Sequence, residues 1–202
     1  YIWVFDLLTG DRVATHALGD AFATATCTDV AVTSDGTGYV VDREHPNIYT
    51  VDIDDGAALW VTDDELDGII GQNAVLVLPD ESALLAIVYL DADLHHIRLD
   101  DGTVTEVDID GSFIDSTLLA GADGMTWAND ALYVAFTSEL VRLDPTVADW
   151  SAAKATEVDI PKGMTDVIRT PNGLYLLNGQ AVQFAVGGGT DPFKLVRFTG
   201  SL

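Results

Sequence analysis

The sequence predicts an all-β protein, a β-propeller of four-stranded antiparallel blades. Three observations carry this expectation. A unit of apolar strand, Gly- or Asp-containing turn and second apolar strand recurs, with anchors Tyr39, Leu85, Tyr133 and Tyr175 spaced 46, 48 and 42 residues apart. Each unit is followed by an alternating strand that usually closes on Asp, as in Ile48–Asp52, His96–Asp100 and Leu140–Asp144. No ten-residue stretch shows a clean helical period, while β-branched residues and turn signals every 8–12 residues are the pattern of strands. Four strands per period of roughly 45 residues is a propeller blade.

Taken in order, residues 1–20 supply half a blade, with strands at Ile2–Phe5 and Arg12–Leu18. Full blades are expected at about 27–66, 72–112 and 122–161, and a last one at 163–200. Their short outer strands fall at Ala57–Val61, Thr103–Ile109 and Ala155–Ile160. The first unit begins mid-blade and the last lacks an outer strand, so about four and a half blades are expected, with exposed edges. Unpaired edges are a liability. They lead to the expectation of one domain, truncated at its N-terminal side, in which roughly 25 further residues complete five blades and about 70 complete six. The alternative is a dimer that covers the edges.

Composition excludes several classes. Nine Lys and Arg against 33 Asp and Glu leave a net charge of −24, which repels nucleic acid and anionic lipid. With 48% apolar residues the chain is too hydrophobic to be disordered. No apolar run reaches the ~18 residues of a membrane-spanning helix. Much of the acidity sits in Asp-Gly pairs (Asp35-Gly36, Asp55-Gly56, Asp101-Gly102, Asp110-Gly111), which is turn chemistry. The remaining Lys-poor acidic surface suits an extracytoplasmic protein or one working in high salt.

Candidate functional residues open the inner strands. Asp29, Asn73, Asp123 and Asp166 recur at that place in four successive units and are expected to face the channel mouth. Converging carboxylates repel, so a bound cation or raised pKa values would relieve them. The plainer alternative is that they cap local backbone and hold water. Other motifs carry less. The run Asp52–Gly56 lacks the Glu and flanking helices of an EF-hand and reads as a turn. The run Asp63–Asp67 reads as a polar loop or one helical turn. His95 and His96 point to opposite faces of a strand, and His16 and His45 are isolated. Cys27, the single cysteine, is expected as a buried structural thiol, and Trp3, Trp60, Trp127 and Trp150 as packing between blades. Gly187–Gly189 is followed by neither helix nor Lys-Ser/Thr and reads as a rim loop.

The segments Asp29-Val-Ala-Val-Thr-Ser-Asp-Gly, Gly121-Ala-Asp-Gly-Met-Thr-Trp, Gly173-Leu-Tyr-Leu-Leu-Asn-Gly-Gln and Pro192-Phe-Lys-Leu-Val-Arg resemble the gluconolactonase/regucalcin-like six-bladed propellers, particularly the sugar-lactone-lactonase-like branch. The resemblance implies a divalent cation, calcium or zinc, at the top of the channel, polarising a lactone carbonyl. It implies Asn73 and Asp123 as metal ligands. Thr28 stands where the family has a ligating Asn, and a hydroxyl is a poorer ligand than an amide oxygen. The family's Glu would lie before Tyr1. Asp29 and Asp166 are the candidate catalytic acid or base. The implied partner is a small molecule or lactone in the channel mouth. The competing expectations are a propeller that binds a ligand or protein without catalysis and a structural module of a larger surface protein.

Overall fold

Strand second in each blade is where the hydrophobic effect is concentrated. In the computed structural model, which describes residues 1–18, 25–68, 70–111, 121–136, 139–161, 163–180, 187 and 193–199, three such strands are buried on both faces. They are β4 (Gly38–Asp42), β8 (Ala83–Val88) and β13 (Ala131–Phe136). Packed elements cover both faces of each, so the strands are apolar almost throughout; Asp42, at the end of β4, is the one charged residue in them.

The strands assemble in chain order. β1 (Ile2–Phe5) pairs with β2 (Arg12–His16) as a separate hairpin. β3 (Cys27–Val32), β4, β5 (Asn47–Asp52) and β6 (Gly56–Thr62) form the first four-stranded blade. β7 (Gln72–Val77), β8, β9 (Leu94–Arg98) and β10 (Val104–Glu106) form the second. β11 (Asp108–Asp110) precedes the third, built from β12 (Ala122–Ala128), β13, β14 (Leu140–Pro145) and β15 (Ala152–Val158). β16 (Asp166–Thr170), β17 (Gly173–Asn178) and β18 (Lys194–Arg197) form the fourth, three-stranded sheet. Apart from β11, neighbouring strands within each blade are antiparallel, and no α-helix occurs among the described residues, only a 3₁₀ turn at Asp64–Leu66. The architecture is a β-propeller. Gly188, Gly189 and Pro192 lie outside the described residues, as do the ends of the expected blade intervals at 20, 112 and 200.

Alternate residues of one strand feed opposite interfaces, as the two-residue strand period requires. Leu84 and Ala86 pack with Val41, Ile48 and Leu66 of the first blade, whereas Leu85 and Ile87 pack with Leu132, Val134 and Phe136 of the third. Tyr133 and Ala135 then face Val167, Leu174 and Leu176 of the fourth. Each fully buried Val, Leu, Ile or Phe among these contributes about 1.5–3 kcal/mol. The hairpin covers the first blade's other face through Ile2 and Leu18 against Val40, Tyr49 and Val51.

Turn chemistry absorbs many of the aspartates. Asp52 Oδ1 accepts from the amides of Asp54 and Asp55, and Asp6, Asp35, Asp80, Asp101 and Asp149 make equivalent local bonds. The turn closes at Gly56, whose φ of +87° is a conformation that L side chains rarely adopt.

Three expectations are corrected. The outer strand expected over 103–109 divides: β10 stays with β9, while β11 crosses to pair in parallel with β15 as a fifth strand of the third blade. The hinge is fixed by Val107 N–H donating to Leu94 O and Asp108 N–H donating to Ser151 O. The crossing covers an edge that would otherwise be unpaired. Cys27 is exposed rather than buried, because it starts β3 at the rim. Trp3 is 59% exposed and lies under the Arg12 guanidinium on the hairpin's outer face. The other tryptophans pack as expected: Trp127 meets the buried Trp150 edge-on, and Trp60 meets Tyr39.

Candidate functional site: the channel mouth

A belt of backbone hydrogen bonds joins three blades at one end. Arg43 N–H donates to Thr26 O, Gly71 N–H to Arg43 O, Tyr89 N–H to Gly71 O and Ala122 N–H to Tyr89 O. It passes immediately beside the starts of β3, β7 and β12, the innermost strands, and holds them at one level.

Each of those strands carries a bulge at the same place. Register slips between Cys27 and Asp29, between Gln72 and Ala74, and between Ala122 and Met125. The extra residues are Thr28, Asn73 and the Asp123-Gly124 pair. A β-bulge bends its strand and re-aims a side chain. Here it turns three successive polar residues out of the pleat, where they line a common cavity. In the fourth blade Asp166 pairs directly with Leu177, without a bulge.

The cavity has a volume of about 350 Å³. Thr28, Asp29, Asn73, Asp123 and Asp166 all line it, joined by Thr165, with Met125, Ile168 and Leu177 as an apolar wall. The five side chains singled out in the sequence thus share one cavity, although they are spread over 139 positions, from 28 to 166.

Within the cavity the residues differ in what they have free. Asn73 Nδ2 donates to Asp123 Oδ1 at 2.8 Å and to Ala122 O at 3.2 Å, which leaves its amide oxygen for another partner. Asp29 has both oxygens engaged, Oδ1 by Val30 N–H at 2.8 Å and Oδ2 by Val75 N–H at 2.9 Å. It ties β3 to β7. Thr28 makes a second tie, its hydroxyl donating to Gln72 O at 3.0 Å. Asp166 Oδ1 accepts from Val167 N–H at 2.7 Å. That carboxylate lies directly against Gly124, where any Cβ would collide with Oδ1.

Burial raises the pKa of Asp29, Asp123 and Asp166 above the ordinary carboxylate range. Mutual repulsion adds to it: Asp166 and Asp29 both push Asp123 up, and Asp29 pushes Asp166 up. The Asn73 hydrogen bond and the Arg43 charge oppose this at Asp123, and backbone N–H donors oppose it at Asp29 and Asp166.

The donors are all hard oxygens, a set that suits calcium better than zinc. No three His, Cys, Asp or Glu side chains among the described residues come together closely enough to hold a metal ion by themselves. A cation here would need the neutral oxygen of Asn73, with water or substrate completing the shell.

The sequence pattern did not reveal the bulges, the packing of Asp166 on Gly124, or the part played by Arg43 and Tyr89. Gly124 was visible only as the middle of Asp-Gly-Met. Arg43 had no pattern around it, because its place depends on contacts from three blades.

No protein-family model matches the chain, and no curated protein matches it in sequence. Solved structures do. A streptogramin B lyase is similar with a TM-score of 0.62 at 12% identity, covering 90% of this chain and 58% of its own. Mala s 1, the major allergen of Malassezia sympodialis, is similar with a TM-score of 0.62 at 20% identity, over 87% of this chain and 59% of its own. A 6-phosphogluconolactonase-like protein of Bacteroides uniformis has a TM-score of 0.62 at 15% identity, over 87% and 55%. The chain therefore spans less than three-fifths of the length of each. At these identities the likeness defines the class of fold, a β-propeller, and nothing narrower.

Proposed function

We propose that the channel mouth hydrolyses a sugar-type lactone with the help of a divalent cation, calcium in preference to zinc, held beside Asn73 and Asp123. The observation that carries this reading is the Asn73–Asp123 hydrogen bond inside a cavity shared with Asp166. It orients a neutral amide oxygen and a carboxylate together next to a second carboxylate that can move a proton. The fold likeness to a 6-phosphogluconolactonase-like propeller is in keeping with it.

Asp166 is the acid/base of this proposal. Burial raises its pKa, which makes it a better proton acceptor than an ordinary carboxylate. It takes a proton from water as the water oxygen bonds to the ring carbonyl carbon. The ring C–O bond then breaks and the departing oxygen receives the proton, giving a hydroxy acid. When bound, the cation would polarise the carbonyl as a Lewis acid. Asp29 and Thr28 hold the first two blades in register and so position Asn73.

One observation favours a second reading, a ligand-binding mouth without catalysis: Asp29 Oδ2 and the Thr28 hydroxyl hydrogen are engaged in blade-to-blade ties. The experiment that separates the two follows acid release from glucono-δ-lactone with calcium, with zinc and with chelator. The hydrolytic reading expects metal-dependent turnover above the spontaneous rate, reduced about 10²–10⁴-fold by Asp166→Asn. Turnover equal to the spontaneous rate under all conditions refutes it. An extracytoplasmic location is part of the proposal, resting on the Lys-poor acidic surface; no helix among the described residues is long and apolar enough to cross a membrane.

A further inference from the structure

Arg43 occupies an unusual position for a cation in this acidic chain. It sits in the loop between β4 and β5, and both its backbone groups are committed to the belt, N–H to Thr26 and C=O to Gly71. The loop is locked from below by Asp42, which is fully buried and accepts from the amides of Thr26 and Glu44 and from His45 Nδ1. The Arg43 guanidinium lies 5.5 Å from the centroid of the Tyr89 ring, within cation–π range. Tyr89 in turn is pressed against Gly121, where any Cβ would run into the ring, and its carbonyl accepts from Ala122, the residue before Asp123. Arg43, Tyr89 and Gly121 thus form a sequence of contacts that leads to Asp123, which lines the cavity, while the other three stand just behind it.

The guanidinium has no paired anion. Arg98 and Arg142 pair with Asp100 and Asp144, whereas Arg43, like Arg12, Arg169 and Arg197, forms no ion pair among the described residues; what sets Arg43 apart is its place in the belt beside the inner strands. A cation held by an aromatic face keeps its N–H edge available, and a guanidinium fork matches carboxylate and phosphate oxygens. Its charge already reaches Asp123, so a group bound there sits within the electrostatic range of the mouth.

We propose that Arg43, braced on Tyr89, is the specificity residue of the mouth and receives an oxyanion, a carboxylate or phosphate carried by the sugar ligand away from its ring carbonyl. The inference rests on the mouth being the ligand site and adds the ligand's charge class. A −24 protein repels anions in bulk. Selection of an anionic sugar therefore needs a local cation outside an ion pair, and Arg43 supplies one.

The test measures equilibrium affinity for glucose, glucuronate and glucose 6-phosphate in wild type, Arg43→Ala, Arg43→Lys and Tyr89→Leu. Wild type is expected to bind at least one of the two anionic sugars about tenfold or more tightly than glucose, the ratio a charge-assisted hydrogen bond sustains. Preference for glucuronate assigns a carboxylate, and preference for glucose 6-phosphate a phosphate. Arg43→Ala should abolish the preference, lowering affinity for the anionic sugar far more than for glucose, with Arg43→Lys and Tyr89→Leu intermediate. No anion preference, no binding of any probe, or equal losses for neutral and anionic sugars would overturn the inference. The outcomes remain separable from hydrolysis. Turnover of glucono-δ-lactone without anion preference sinks the Arg43 assignment alone, and Arg43-dependent anion binding without turnover sinks the hydrolytic reading alone.

Discussion

Asn73 and Asp123, 50 positions apart, meet across two blades through a 2.8 Å hydrogen bond from amide to carboxylate. The bond exists because both residues are the bulged positions of their inner strands. Asn73→Ala removes the neutral oxygen offered to a cation and one of the influences that hold the Asp123 pKa down. The expected outcome is a fall of about 10–100-fold in calcium affinity, read by calorimetric titration, with a nearly unchanged melting temperature in chelator.

Acidity should relieve the mouth. The pKa of Asp29, Asp123 and Asp166 is raised by burial, so the folded state holds their protons more tightly than the unfolded chain. Their ionisation costs stability at neutral pH, and that cost disappears as pH falls through the raised folded values. Turn aspartates such as Asp52 and Asp101 have the opposite sign, being lowered by local hydrogen bonds, and their contribution is lost at low pH. A difference measurement isolates the mouth. Asp123→Asn is expected to melt higher than wild type at neutral pH, with the gap closing below about pH 4. An equal gap at all pH values would show that charge is not the cause.

Gly124 is where a single methyl group should matter. A Cβ at this position collides with Asp166 Oδ1. Gly124→Ala is expected to cost about 1–3 kcal/mol and to displace the carboxylate from the cavity. Denaturant midpoints measure the first effect, and loss of any lactone turnover the second.

Asp42 tests the frame that carries Arg43. Its buried carboxylate satisfies the amides of Thr26 and Glu44 and the ring of His45. Asp42→Ala leaves the amides of Thr26 and Glu44 without this acceptor and should destabilise by about 1–3 kcal/mol, seen as a lower denaturant midpoint at unchanged slope.

The blade repeat was legible because β4, β8 and β13 need apolar residues on both faces and Asp or Gly at the turns. Both are local demands written in the chain. Asp29, Asn73, Asp123 and Asp166 could be singled out because they recur at one place in that repeat. The crossing of β11 was hidden: Val104–Asp110 alternates like one strand, and only the free edge of β15 decides that it divides. The uses of Asp29 and Thr28 were hidden for a similar reason. Their partners, Val75 and Gln72, lie more than forty residues away and bond through backbone atoms that leave no signature in side-chain identity.

In the proposed function Asn73, Asp123 and Asp166 act together as one cation-assisted site. Calcium titrated calorimetrically into wild type, Asp123→Asn and Asp166→Asn tests it most directly. One saturable site in wild type, abolished by Asp123→Asn and weakened by Asp166→Asn, is the predicted result. Absence of calcium binding to wild type, or binding that both substitutions leave intact, would contradict the account.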